Sequence, residues 1–562
     1  MSENSRDHCD VLVIGSGMGG GAVAKRLSGS GVKVVCLEQG GWLDPTRDYS
    51  HDLDTWEMEK LRGWSYDPNE RKLPEDYPVS GHIRPYFFNA VGGSTVCYGG
   101  HWPRFKPVDF RKGTEHGLEG TIDWPISYEE LAPYYDINDA EMGISGVVGD
   151  PAYPSRPNAP RQPTTRPGKL GLKLSEGFDN LGWHWWPSDN AIITQARDGR
   201  LPCNECGGCL SGCPRGSLGG VHVAYWPRAL RNGVDLRTGA RVEKIEVENG
   251  RATGAVYIDL ATGQRHFVSA DIVVLSASGL GTPRLLLMSE QKGFENGLAN
   301  GNDLVGRHLM HHSYANCDVW FDEPIEGYKA SFGAPFYSQE FYNTDPNKSF
   351  VNGFTMQVGR SYGAAFTATG SHTREPIAWG AGHHRRFDED FGNQLLVYVL
   401  AEDLPVYHNR VRLDNSKSDS SGLPGITVDF TPHENDVRLT NYGVERLEQV
   451  AAAAGASRVR STGHQDMNPG WHLMGTARMG NSPDDSTVNK WNQSWEVPNL
   501  MIVDGSSLTT GAAVNPTPTI GALAVRVAEY IIANGNRIAE QTTTPSNADA
   551  RDLDYRKVKF NV

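Results

Sequence analysis

Four of the chain's eight cysteines fall within eleven positions: Cys203, Cys206, Cys209 and Cys213, in CNECGGCLSGCP. C-x2-C-x2-C-x3-C followed by proline is the spacing with which bacterial ferredoxins arrange thiolates around an iron–sulfur cluster. Three readings stand for it. The first is such a cluster. The second is zinc, although structural zinc draws on two separated C-x-x-C knuckles and this run is compact. The third is a metal-free turn. Four unligated thiols in an ordered loop would be open to oxidation. A ferredoxin run, however, lends its fourth cysteine to a second cluster, and no second run occurs here.

A second group could hold a dinucleotide. Gly15-x-Gly17-x-x-Gly20 follows the apolar run Asp10 to Ile14 and opens into AVAKRL; VKVVCLE then ends in Glu38. Glycines let a turn tighten and let backbone approach a pyrophosphate at the positive end of a helix, and a terminal acid can accept from ribose hydroxyls. These elements must be a buried parallel strand, a helix with small residues where it meets that strand, and a second strand. FAD and NAD share this fingerprint, so it does not choose between them.

Blocks elsewhere choose. AVGGSTVCYGGHWPRFKPVDF (90–110), LRTGARVEKIEV (236–247), SASGLGTPRLLLMSE (276–290), VGRHLMHH (305–312), NPGWHLMGTARMG (468–480) and VPNLMIVDGSSLTTGAAVNPTPTIGALAVRVAEYI (497–531) follow in this order. Together they resemble the glucose–methanol–choline oxidoreductases, FAD-dependent alcohol-oxidising enzymes. The resemblance covers about residues 8–320 and 440–535, and departs at Gly279 and Glu290. It implies FAD held by Gly15, Gly17, Gly20, Glu38, Gly93, Ser94, Cys97, Val242, Asp504, Gly505, Pro516 and Thr517. It also implies a reacting pair, His472 and Asn515. Those residue types suit the chemistry: oxidising an alcohol needs a base near working pH, and a histidine titrates at about 6.5. An asparagine can donate to the developing alkoxide without competing for the proton. In some sugar-oxidising relatives a histidine attaches the flavin at the position of Cys97; here non-covalent FAD is expected, with Cys97 or His101 as the alternative anchors. Some soluble bacterial members carry a similar cysteine loop without a cluster, whereas some membrane-associated sugar dehydrogenases carry one.

The fold expected is α/β: a Rossmann-like FAD-binding domain with a discontinuous, β-sheet-based substrate domain. Residues 1–110, 200–320 and 455–540 would form the flavin body, 111–199 and 321–454 the substrate side, and 541–562 a tail. FVNGFTMQVG (350–359) and QLLVYVLAEDLP (394–405) have the composition of a sheet roofing the flavin, and LDNSKSDSSGLPG reads as a connecting loop. FYSQEFYN (336–343) could stack on a ring through Tyr337, Phe341 and Tyr342, with core packing as the default. His311 and His312 have no partner at ligand spacing and read as structural.

The net charge of −14 opposes nucleic acid. No apolar stretch long enough to span a membrane and no secretory leader is visible. Cys9, Cys36, Cys97 and Cys317 are scattered, unlike a disulfide framework, so a cytoplasmic protein is expected. The partners expected are a small-molecule alcohol and either oxygen or an external electron acceptor. Alternatives are a lyase that keeps FAD as scaffold, and a flavin/iron–sulfur electron-transfer protein.

Overall fold

The chain was analysed as a computed structural model that describes residues 7–49, 76–81, 83–156, 159–329, 335–370, 376–464 and 469–547. The apolar run at the start forms the strand His8–Ile14, buried from Val11 onward. It pairs in parallel with Val34–Leu37 on one side and Arg265–Leu275 on the other. This seven-stranded sheet gains Asp235–Arg237 at one edge and the antiparallel hairpin of Ala240–Glu248 and Arg251–Asp259 at the other. Leu500–Ile502, from far along the chain, pairs with the end of Arg265–Leu275. The helices Met18–Leu27, Tyr128–Met142 and Thr517–Glu540 pack on one another beside the sheet and share its apolar core. The middle helix is delimited by its own sequence. Ser127 and Glu130 cap each other reciprocally at its start, and Gly143, at φ +80°, ends it.

A second, six-stranded sheet is ordered Arg458–Thr462, Ser313–Trp320, Gln394–Ala401, Phe354–Gly359, Phe336–Ser338, Trp186–Pro187. Ser313–Trp320 and Arg458–Thr462, which lie inside the ranges expected for the flavin body, hydrogen-bond into this sheet instead. Strand alternation divides its side chains. Ala315, Cys317, Val319, Phe354, Met356, Val358, Leu395, Val397 and Val399 enter a core with the helices Gly168–Leu181 and Glu434–Ala453. Tyr314, Gln357 and Tyr398, on the alternate positions, line the large cavity between the two sheets.

One local expectation changes. Most of LDNSKSDSSGLPG is hairpin, not loop: Arg410–Ser418 pairs with Pro424–Asp429, which also pairs with Val79–Gly81. FYSQEFYN is core and a short strand paired on both sides, as its default reading had it. The Tyr342 hydroxyl donates to Asp109 at 2.6 Å, Tyr337 donates to Asp150, and Phe341 stacks on Phe354. The last fifteen residues of the expected tail, 548–562, lie outside the described residues.

Candidate active site

The glycines after the first strand differ in what they do. Gly15 has φ +96°, and a Cβ there would lie 2.2 Å from the Ser276 carbonyl oxygen. A Cβ on Gly19 would meet Val503 O, and one on Gly20 would meet Gly15 O, each at 1.9 Å. These positions need glycine for the fold's own packing. Gly20 accordingly does not line the cavity; it lets the helix seat under the turn. Gly17 is the exception, because a Cβ there would find only Gly93 Cα, at 3.8 Å. The protein leaves space beside it, and that space is the cavity. Glu38 closes this end. One carboxylate oxygen accepts from the Ser16 N–H at 2.9 Å and the Ser16 hydroxyl at 2.6 Å, and the other from the Gly40 N–H at 2.8 Å. Burial pushes its carboxyl above the usual range, and these donors pull against it.

The cavity, of about 400 Å³, runs from Glu38 and Val242 past Gly15 and Gly17, under Gly93, Ser94 and Cys97, to His472 and Asn515. Asp504, Gly505, Pro516 and Thr517 also line it. Asp504 ties its own turn to the start of the helix Ser278–Met288. It accepts from the Ser278 N–H at 2.9 Å, the Thr282 hydroxyl at 2.6 Å and the Ser506 N–H at 2.7 Å. Gly279 has a steric reason, since a Cβ there would lie 2.2 Å from Leu473 O, beside His472. Asn515 stands two residues before the helix Thr517–Glu540, so the positive end of that helix faces the cavity.

The far end is assembled from five distant segments. Met310 and Met474 exchange backbone hydrogen bonds at 3.0 and 2.9 Å in an antiparallel bridge, and two steps along that register His312 comes opposite His472. Their Nδ1 atoms are 2.8 Å apart. The alternation of Ser313–Trp320 places the Tyr314 hydroxyl 3.2 Å from the same nitrogen. His472 Nε2 is 3.1 Å from Asn515 Nδ2, and Asn515 Oδ1 is 2.8 Å from both His101 Nδ1 and Gln357 Nε2. Trp471, 42% exposed, stacks on Tyr86 at the mouth.

The hydrogen-bond pattern assigns the tautomers. His312 Nε2 is 2.6 Å from Ala512 O and 3.2 Å from Gly511 O, and a carbonyl only accepts, so this nitrogen carries the hydrogen. Burial holds His312 neutral, which leaves its Nδ1 bare. His472 Nδ1–H therefore donates to it, and His472 Nε2 is a bare lone pair facing the cavity. Burial, and then the neighbouring His312, His311 and His101, hold the His472 pKa well below 6.5. His312 and Ala512, the two ends of one hydrogen bond, both adopt left-handed backbone, with φ of +70° and +53°. Such conformations cost of order 1 kcal/mol each and persist where the surroundings impose them.

The four clustered cysteines line one small apolar pocket with Ile192 and Leu218, next to Tyr98 of the flavin-side loop. Among the described residues, no three of their sulfurs lie within 4.8 Å of one another. Burial pushes the Cys203 thiol up to about 11.

Comparison with known proteins places these features. Models of the GMC oxidoreductase family match residues 84–314 and 405–524. The chain belongs to the GMC oxidoreductases. It is 60% identical to a 2-methyl-1,2-propanediol dehydrogenase of Mycolicibacterium austroafricanum, over 97% of this chain and 99% of that one. It is 29% identical to a 6'''-hydroxyparomomycin C oxidase of Streptomyces lividus, over 93% and 91% of the two chains. Among solved structures, a formate oxidase of Aspergillus oryzae RIB40 shares the fold at 13% identity and a TM-score of 0.64, over 95% of this chain and all of that one. The chain is an FAD-dependent enzyme that oxidises an alcohol group. Its own residues fit that cofactor: the space beside Gly17, the Glu38 carboxylate and the length of the cavity suit a dinucleotide joined to a ring. Among the described residues no helix is long and apolar enough to cross a membrane.

Three polar neighbours of His472 and Asn515 escape sequence reasoning. His312 is not the partnerless residue the sequence suggests, because the Met310–Met474 bridge brings a histidine to it. His101 lines the cavity, yet both its nitrogens are engaged, with Asn515 Oδ1 and with Ser188 Oγ at 3.2 Å. Gln357 carries no motif; strand alternation was the only signal.

Proposed function

We propose that this GMC oxidoreductase is a dehydrogenase of small 1,2-diols, with His472 as base and Asn515 as hydrogen-bond donor at the reacting oxygen. The observation that carries the substrate class is the 60% identity, over nearly the whole chain, to a 2-methyl-1,2-propanediol dehydrogenase. When bound, FAD accepts the hydride from the alcohol carbon. The chain does the rest. His472 Nε2, bare in the resting site, takes the hydroxyl proton. Asn515 Nδ2, now pointed at that nitrogen, turns its hydrogen bond to the oxygen as negative charge develops there. His472 Nδ1–H stays on His312, so the imidazolium is held in place as it forms. Trp471 and Tyr86 wall the mouth and limit water.

FAD is held without a covalent bond in this reading, and of the two alternative anchors His101 has both ring nitrogens already engaged. The sheet rich in residues 313–462 forms the substrate side and the seven-stranded sheet the flavin body. Electrons leave to an external acceptor rather than oxygen, and the buried thiols of Cys9, Cys36 and Cys317, scattered along the chain, fit a reducing, cytoplasmic setting. The test is anaerobic mixing with 2-methyl-1,2-propanediol. Bleaching of the flavin bands, followed by slow recovery in air and fast recovery with a dye acceptor, supports the reading. Turnover with unchanged flavin would make the protein a lyase. Activity that survives His472→Ala and Asn515→Ala would leave it an electron carrier.

A second reading concerns the cysteine loop, which we take to hold a polynuclear iron–sulfur centre. It is supported by four cysteines around one apolar pocket and by their C-x2-C-x2-C-x3-C-P spacing. Iron and acid-labile sulfide in stoichiometric amounts on anaerobically purified protein would bear this out; a clean flavin spectrum without iron would make the loop structural.

A further inference from the structure

Asn515 can help at the reacting oxygen only if its amide presents nitrogen, not oxygen, to His472, and a free amide has no preference between the two. Two groups surround its other end. Oδ1 lies 2.8 Å from His101 Nδ1 and 2.8 Å from Gln357 Nε2, while Nδ2 lies 3.1 Å from His472 Nε2. Gln357 reaches there from the inward face of Phe354–Gly359, and His101 from a loop bridged to Asn190. The Ser188 hydroxyl, 3.2 Å from His101 Nε2, donates to that nitrogen when His101 carries its hydrogen on Nδ1.

The polarity of the whole row is set from one end. Ala512 O forces the hydrogen onto His312 Nε2, which leaves His312 Nδ1 bare; His472 Nδ1 then carries a hydrogen and His472 Nε2 is bare. A bare Nε2 demands a donor, so Asn515 Nδ2 faces it and Oδ1 faces away. Oδ1 has two lone pairs, and His101 Nδ1–H and Gln357 Nε2–H satisfy both. A flipped amide would set a carbonyl against the bare His472 nitrogen and its NH2 against that of Gln357.

We infer that His101 and Gln357 are positioning residues, which hold the Asn515 amide in its donating orientation. This rests on the reading of His472 and Asn515 as the reacting pair. His101 thus acts in the reaction without touching substrate, and neither ring nitrogen is left to anchor a cofactor.

Kinetics of the FAD-loaded enzyme with 2-methyl-1,2-propanediol test it. His101→Ala lowers kcat about tenfold, the scale of one lost oriented hydrogen bond, and leaves KM within about threefold. His101→Asn, whose amide N–H can take the place of Nδ1–H, recovers most of that loss. Asn515→Ala lowers kcat about 10²–10³-fold. The double variant His101→Ala/Asn515→Ala is no slower than Asn515→Ala alone, because His101 works through that side chain. If the two losses multiply, or if His101→Asn is as slow as His101→Ala, the inference is overturned while the reacting pair stands. If Asn515→Ala keeps wild-type kcat, the reacting pair falls and the inference with it. Should His101→Ala fail to fold, as FAD content and melting would show, Gln357→Ala is put through the same cycle with the same expected non-additivity.

Discussion

The two ends of the cavity are built on opposite principles. At the dinucleotide end the specification is local and made of backbone. Gly15, Gly17, Gly19 and Gly20 span six positions, and three of them are glycine because a carbonyl occupies the place of their side chain. At the reacting end the specification is distant and made of side chains. His101, His312, Gln357, His472 and Asn515 come from five segments, joined by one row of hydrogen bonds. Close packing makes the first end tolerant of neighbours but intolerant of a single methyl. Directional bonding makes the second end sensitive to which atom carries a proton, with little consequence for folding.

That contrast can be broken by substitutions whose effects should separate cleanly. The largest is at the reacting end: His472→Ala should lower kcat about 10²–10⁴-fold, the range a general base supplies, with FAD content and melting temperature unchanged. At the other end Gly15→Ala should do the reverse. It loses about 1–3 kcal/mol of stability through backbone strain and the clash with Ser276, read as lower melting and sub-stoichiometric FAD, while the molecules that retain FAD turn over near the normal rate. Gly17→Ala sharpens the comparison, because the protein itself has room for that methyl. Its FAD affinity should fall about tenfold, at the low end of overpacking costs, with melting of the FAD-free protein unaltered. Equal loss in both would mean that Gly17 serves the fold after all.

The smallest effect expected is a shift in pH dependence. With His472 as the proposed base, its neutral form is the active one, so kcat/KM should fall as pH drops through its pKa. Because burial and neighbouring histidines depress that pKa, the acid limb of the wild type lies below 6.5. His312→Glu puts an anion beside the imidazolium, which favours the charged form and moves the limb up by about one unit. An unmoved limb would detach the titration from His472.

How much of this was legible follows from the same contrast. The strand, turn, helix, strand and Glu38 could be read because everything that makes them a site lies within thirty residues of sequence. His472 and Asn515 could be placed because their neighbours in sequence carry a family resemblance. His312 could not, since it meets His472 only through the Met310–Met474 register, and Gln357 could not, since nothing but alternation aims it inward. The hairpin at 410–429 was hidden by a turn-rich composition that proved to be the ends of two strands and the bend between them. For Tyr337 and Tyr342 core packing was the default reading, and their hydroxyls are spent on Asp150 and Asp109.

His472 Nε2 is the proposed proton acceptor. Its most direct test is the anaerobic rate of flavin bleaching by saturating 2-methyl-1,2-propanediol in the wild type and in His472→Ala at matched FAD content. The account predicts rapid bleaching in the first and at least about 100-fold slower bleaching in the second. Equal rates in the two would contradict it.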